Sequence, residues 1–233
     1  MKGVGLNRDK PRVLVACEYS GIVRDAFAAR GWDAWSCDLL ESERPGGNHY
    51  QGDINDMLVQ QWDLMVAHPP CTYLSNSGAK HLYLGKTKAD KIALGYQRDE
   101  ERWALMEEGA KFFNLLWNAD IPHIAIENPV MHGHGIERVN GRATQFVQPW
   151  MFGHPESKRT GLRLKNLPKL VPTDDVEHVM KTLPTSQANR VHMMSPGANR
   201  WKERSRTFQG IGDAMAAQWG PYVEDQLALA EAA

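Results

Sequence analysis

DLMVAHPPCTYLSNSG (residues 63–78) is an apolar run broken by two prolines, with Cys71 directly behind them. WDLMVA (62–67) has the length and continuous apolarity of a buried strand. Pro69 and Pro70 stop it, because proline fixes φ and has no N–H to continue a ladder. Working outward, RVLVA (12–16) behind Pro11, DAWSCDL (33–39) and PHIAIE (122–127) ahead of Pro129 have the same character. Helical stretches lie between them. GIVRDAFAAR (21–30) is apolar at Ile22, Val23, Ala26, Phe27 and Ala28, and Gly31 follows where a C-terminal cap belongs. DEERWALMEEGAKFFNLLWN (99–118) repeats Trp103, Met106, Ala110, Phe113 and Trp117 at helical spacing. Such alternation predicts an α/β fold, a parallel sheet with helices on both faces that binds ligands at the carboxyl ends of its strands. Beyond residue 130 glycine, proline and histidine become frequent. Residues 172–200 are expected to form a loop-rich lobe, and IGDAMAAQWGPYVEDQLALAEAA (211–233) returns to helical character.

The 233 residues suffice for one sizeable α/β domain, and no repeat or linker divides them. A hydrophobic content of 42% with 24% charged residues excludes wholesale disorder. The net charge of −1 offers no global attraction to a polyanion, so any nucleic acid must be held by a local basic patch. Cys17, Cys37 and Cys71 form no CxxC pair and are read as reduced thiols. MKGVGLNRDKPRVLVA at the N-terminus has no apolar run fit for a signal sequence, and no membrane-spanning run of apolar residues occurs. A soluble cytoplasmic protein with no membrane partner is expected.

Four segments following strands carry the candidate chemistry. In ACEYSGIVRDAF, Ser20 and Gly21 begin a helix, and its N-terminus would favour an anionic ligand group. The three glycines of a dinucleotide fingerprint are missing. Asp38 ends the next strand, where an acid can accept hydrogen bonds from ribose hydroxyls. Gly52-Asp53-Ile54 offers a second acid or an ordinary turn. The fourth is HPPC. Two prolines aim the Cys71 thiol out of the sheet edge, and a thiol is the best neutral-pH nucleophile among side chains if positive charge or dipoles lower its pKa. IAIENPV brings Glu127 and Asn128 to a neighbouring strand end, so the Glu127 carboxyl points into the same crevice. Thiol and carboxyl together suit attack on an electron-poor heteroaromatic ring.

At these residues the chain resembles the cytosine-5 DNA methyltransferase family, in the family's own order over most of its length. PPC with the following Ser75 and Gly78 resembles the nucleophile motif, and IENP the ENV motif. FGHPESKRTG (152–161) resembles YGVPQxRxR, and IGDAMA (211–216) resembles IGNSV. The resemblance implies a Rossmann-like S-adenosylmethionine-dependent methyltransferase fold, with a mostly parallel sheet and a small, loop-rich C-terminal lobe. Residues 1–168 would be the catalytic domain, 169–205 a reduced recognition lobe, and 206–233 a segment returning to the cofactor domain. S-adenosylmethionine would be the cofactor, its methionine end lined by Tyr19, Ser20 and Gly21, its ribose held by Asp38 and its adenine by Asp53. Ile54, Pro69, Asp213 and Ala214 would complete that pocket. Cys71 would attack carbon 6 of cytosine, Glu127 contact nitrogen 3 and the exocyclic amine, and Lys158 the ring's O2. Pro70, Ser75, Asn128, Arg204 and Arg206 would touch a DNA substrate, single-stranded or with its target base flipped out. Compactness resembles the orphan methyltransferases of phages and prophages, which protect DNA against restriction in a host cytoplasm.

The chain departs from the family at four places. Glu18 stands at a usual glycine. Glu156-x-Lys158-x-Thr160 replaces QxRxR, so a point charge stands for a forked guanidinium. Asp213 replaces asparagine, either tuning the cofactor pocket or bonding a backbone amide. The target-recognition region is nearly absent, although Arg190, His192, Arg200, Lys202, Arg204 and Arg206 still form a basic cluster. The rival readings are the same chemistry on free deoxycytidine nucleotide or RNA, and a binding protein that has lost activity. An amino-methyltransferase would need an Asp or Asn-Pro-Pro-aromatic motif, which HPPC-Thr72 does not supply. His132-Gly133-His134 has no matching carboxylate or thiol cluster, so no metal is expected. Trp150, Trp201 or Tyr73 could stack a flipped base, and His68 is close enough to Cys71 to affect its ionisation.

Overall fold

The computed structural model describes residues 10–232, so the first nine residues of the N-terminal stretch read for a targeting signal lie outside it. Seven strands form one sheet: β1 (Arg12–Ala16), β2 (Asp33–Asp38), β3 (Asn48–Gln51), β4 (Leu64–Ala67), β5 (His123–Pro129), β6 (Gln145–Val147) and β7 (Thr160–Lys165). Their order is β3-β2-β1-β4-β5-β7-β6. The first five are mutually parallel, while β7 runs antiparallel between β5 and β6. The fold is thus the expected Rossmann-like α/β arrangement with a mostly parallel sheet. Strand order reverses between β1 and β4, which makes the gap at their carboxyl ends the ligand crevice of such sheets.

Every residue of β4 is fully buried, as are four of the five in β1. Continuous apolar runs are needed because helices cover both faces. Helices Ile22–Ala28 and Gln209–Glu231 pack one face through Phe27, Met215, Trp219 and Val223. Helix Glu100–Trp117 packs the other through Trp103, Met106, Ala110 and Phe113. Its start is set by Asp99, whose side chain accepts the Arg102 amide N–H at 3.1 Å.

Three strands escape a reading by apolar runs. β3 (NHYQ) is an edge strand with no buried residue, β6 has three residues, and only the first half of β7 is buried. The 172–200 stretch is loop-rich as expected, punctuated by one-turn helices at Glu177–Thr182, Thr185–Ala188 and Arg190–Met193. Among the described residues, no helix is long and apolar enough to cross a membrane, and no group of three or more His, Cys, Asp or Glu is placed to hold a metal. His132 instead accepts the Gly135 amide and bonds the Tyr73 carbonyl, while His134 packs on Trp103.

Candidate active site

The register that pairs Ala67 with Ile126 carries one residue past the end of β4 and sets His68 beside Glu127 of β5. The His68 Nδ1–H donates to Glu127 Oε2 at 2.6 Å, with both side chains nearly out of solvent. After the two prolines the chain turns at Cys71, whose carbonyl accepts the Leu74 and Ser75 amides. Cys71 and Glu127 line one cavity, together with Lys158 from the chain entering β7. Cys17, Glu18, Tyr19 and Ser20 behind β1 form a second wall, and Arg204 to Thr207 a third. The cavity encloses about 90 Å³.

Its electrostatics are set by burial and by one paired proton. Burial opposes ionisation of Glu127, yet the His68 bond and charge, helped by Lys158 and the Thr207 hydroxyl, hold the carboxyl down at about 2. Burial likewise opposes protonation of His68, and Glu127 overcomes it, pushing the imidazole above its ordinary value. Each partner therefore favours the charged form of the other, imidazolium beside carboxylate. Cys71 differs from the lowered pKa that its proposed role requires. Burial first, then the Glu127 charge, pushes its thiol above the ordinary range, against the opposing pull of Lys158 and Arg204. The protein alone keeps this thiol protonated.

Several residues read from the sequence meet here and others do not. Tyr19, Ser20, Pro69, Arg204 and Arg206 line the cavity with Cys71, Glu127 and Lys158. Gly21 stands just behind, in the left-handed region at φ 70°, and a side chain there would strike the Arg24 guanidinium. The helix N-terminus expected to favour an anionic ligand is already filled. Glu18, 4% exposed, accepts the Val23 and Arg24 amides at 2.8 and 3.2 Å, so the chain's own carboxylate caps that helix. Asp38 lies at the end of β2, outside the cavity wall. Its Oδ1 accepts the Leu40 amide at 3.0 Å, and the Leu39 amide also acts on the carboxylate. Asp53 caps its own turn by accepting both nitrogens of Asn55, and Ile54 is core. Asp213 is exposed and bonds Gln209 rather than a backbone amide, while Ala214 packs in the core.

On the substrate side, Pro70 is exposed outside the cavity, and Ser75 is buried against Ser77 and Met131, supporting the Cys71 turn. Asn128 points to the opposite sheet face from Glu127, as alternation along a strand demands, and lines a different cavity. The Arg206 guanidinium is engaged by Glu43 and Glu203 instead of being free for phosphate. Lys158 Nζ donates to the Arg206 carbonyl at 3.1 Å and ties the two walls together. Trp201 is half exposed and sits 6.4 Å from the Tyr19 ring. Tyr73 lies under the Arg102 guanidinium. Cys17 and Thr207 are cavity residues that no motif marked, and His68 was marked only as a neighbour of Cys71. The β4–β5 register would have revealed its pairing with Glu127.

Fold and site together define a Rossmann-like α/β protein with a thiol, a buried acid–imidazole pair and an ammonium at the carboxyl ends of its central strands. No protein-family model matches the chain, and no curated protein matches it. Among solved structures it is similar to one described as a DNA modification methyltransferase encoded within an E. coli prophage. That likeness has 14% identity and a TM-score of 0.43, over 76% of this chain and 56% of the other. It is also similar to the Entamoeba histolytica methyltransferase EhMeth, with 15% identity and a TM-score of 0.45, over 72% of this chain and 58% of the other. The chain thus spans little more than half the length of either neighbour, and likenesses this weak decide nothing about activity.

Proposed function

We propose that this chain is an S-adenosylmethionine-dependent methyltransferase acting on carbon 5 of cytosine in DNA through a covalent Cys71 adduct. The supporting observation is that Cys71, Glu127 and Lys158, read from three separate motifs, share one cavity at the carboxyl ends of the strands. The Asp38 carboxylate at the end of β2 and the wall of Tyr19, Ser20 and Pro69 would hold the cofactor. A cationic sulfonium also suits the neighbourhood of Glu18. When bound, S-adenosylmethionine supplies the electrophilic methyl group. The chain's residues do the rest. The Cys71 thiol passes its proton to the Glu127 carboxylate of the same cavity as its sulfur bonds to carbon 6, and the displaced electron pair spreads toward N3 and O2. Lys158 neutralises charge at O2. Glu127 accepts the exocyclic amine's N–H, and the proton for N3 comes from the His68–Glu127 pair. A water molecule then takes the carbon 5 proton, the ring double bond reforms with expulsion of the Cys71 thiolate, and N3 returns its proton to the His68–Glu127 pair.

Residues 169–205 act in this reading as a reduced recognition lobe, with a short or absent sequence preference. Modification of phage or prophage DNA against restriction is the biological setting it suits. A second reading, with free deoxycytidine nucleotide as substrate, draws on the engagement of Arg190 by Glu156 and of Arg206 by Glu43, which leaves fewer free charges for a polymer. Labelled cofactor offered with DNA, RNA or dCMP separates the readings. The expected result is 5-methylcytosine in DNA, abolished in Cys71→Ala, and a trapped adduct on DNA carrying 5-fluorocytosine. Label in dCMP alone would sink the DNA reading.

A further inference from the structure

Behind the β5 strand end lies a second cavity, of about 180 Å³, that shares only Pro129 with the first. Helix Glu100–Trp117 contributes Phe113 to its wall, and β6 contributes Phe146. Into this apolar space projects Asn128, 4% exposed, and neither its Nδ2 nor its Oδ1 has a hydrogen-bond partner among the described residues. Buried carboxamides are almost always paired, since an unmet donor and acceptor in low dielectric is costly. At the rim, Arg142 is exposed and makes no ion pair or hydrogen bond among the described residues. Arg163, by contrast, is committed to the Val139 and Asn140 carbonyls.

We propose that this cavity is a second ligand site that takes a nucleobase. Three observations define the ligand class. An apolar cavity of about 150 Å³ is enough for a benzene ring, so this one accepts a single planar ring system. A carboxamide offers a donor beside an acceptor, which matches a base edge; asparagine pairs with adenine in this way. Phe146, whose ring carries the Arg159 guanidinium at 4.2 Å, supplies the aromatic wall against which a base would lie, and the exposed Arg142 guanidinium at the rim is available to a phosphate on the base's sugar. The base can belong to a free nucleotide or to a nucleotide of a bound strand. The site does not depend on the Cys71 chemistry proposed above.

The test is a titration of the ¹⁵N-labelled full chain with AMP, CMP, adenosine and a short single-stranded DNA, following backbone amides by NMR. Saturable shifts at Gly141, Phe146 and Gly161, distinct from those at Cys17 to Ser20, are expected with at least one ligand. Asn128→Leu should weaken that binding at least tenfold. Arg142→Ala, at an exposed position that leaves folding intact, should weaken AMP but not adenosine. Binding of mononucleotides identifies a free nucleotide as the source, and shifts with the oligonucleotide alone identify a base in a strand. The proposal is overturned if no ligand moves these amides, or if Asn128→Leu binds as well as the wild type; water alone would then satisfy Asn128.

Discussion

Cys71 sits between two opposing charges, and that fixes how its reactivity responds to substitution. Its thiol is raised by burial and by Glu127, and lowered by Lys158. Iodoacetamide alkylation of Cys71, followed by peptide mass spectrometry across pH 7–10, should therefore have its midpoint above that of an ordinary thiol, about 8.5. Lys158→Met should move the midpoint up and Glu127→Gln should move it down; shifts of the same sign would refute this electrostatic picture. The His68–Glu127 pair sets a second pH signature. His68 is raised on folding, so its stabilisation is complete below about pH 6.5 and fades as pH rises through its folded value. Glu127 is depressed to about 2, so its stabilisation is complete above about pH 4.3 and fades as pH falls toward 2. Thermal midpoints should peak between those limits, and His68→Gln should flatten the decline on the alkaline side. An unchanged alkaline slope in that variant would show that the pair does not govern it.

At the scale of elements, the turn after β4 is tightly constrained. A Cβ on Gly78 would meet the Thr72 carbonyl oxygen at 2.4 Å, and backbone cannot step aside as a side-chain tip can. Gly78→Ala should cost about 1–3 kcal/mol in chemical denaturation, the range for forced overpacking. It should also slow Cys71 alkylation, because the same turn carries the thiol. Loss of the Asp99 cap in Asp99→Ala should cost about 1 kcal/mol with no effect on Cys71. The elements that bury both faces were legible in the sequence. RVLVA, DLMVA and PHIAIE are unbroken apolar runs, and prolines mark two of their ends. NHYQ and QFV were not legible, because a half-exposed edge strand needs no such run and its pairing is set by neighbours distant in sequence. TGLRLK was hidden for a related reason, since only its buried first half faces the core.

For the molecule as a whole, a net charge of −1 means that, on the proposed reading, DNA affinity would rest on a local patch such as the 200–206 region. Among the described residues Arg200, Lys202 and Arg204 have no acidic partner, unlike Arg190 and Arg206. With three phosphates neutralised, the logarithm of the binding constant should fall against the logarithm of salt concentration with a slope of roughly −3 for duplex DNA, and Arg204→Ala should reduce it by about one. A slope of about −4.5, as for five phosphates, would mean that Arg190 and Arg206 are released from their acidic partners on binding. Cys71, Glu127 and Lys158 were legible as separate motifs because each adjoins a strand end. The neutralised Arg206 and the reversed facing of Asn128 were not, since one depends on Glu43 far away in sequence and the other on which face of β5 is which. Glu18 has the widest consequence. By occupying the first helix's amides, it removes the socket in which related sheets seat a pyrophosphate. On the proposed reading, the Glu18 carboxylate would repel the pyrophosphate of a redox dinucleotide at this helix and would tolerate a cofactor that carries positive charge, so one acidic side chain would sort cofactors before their adenosine makes any contact.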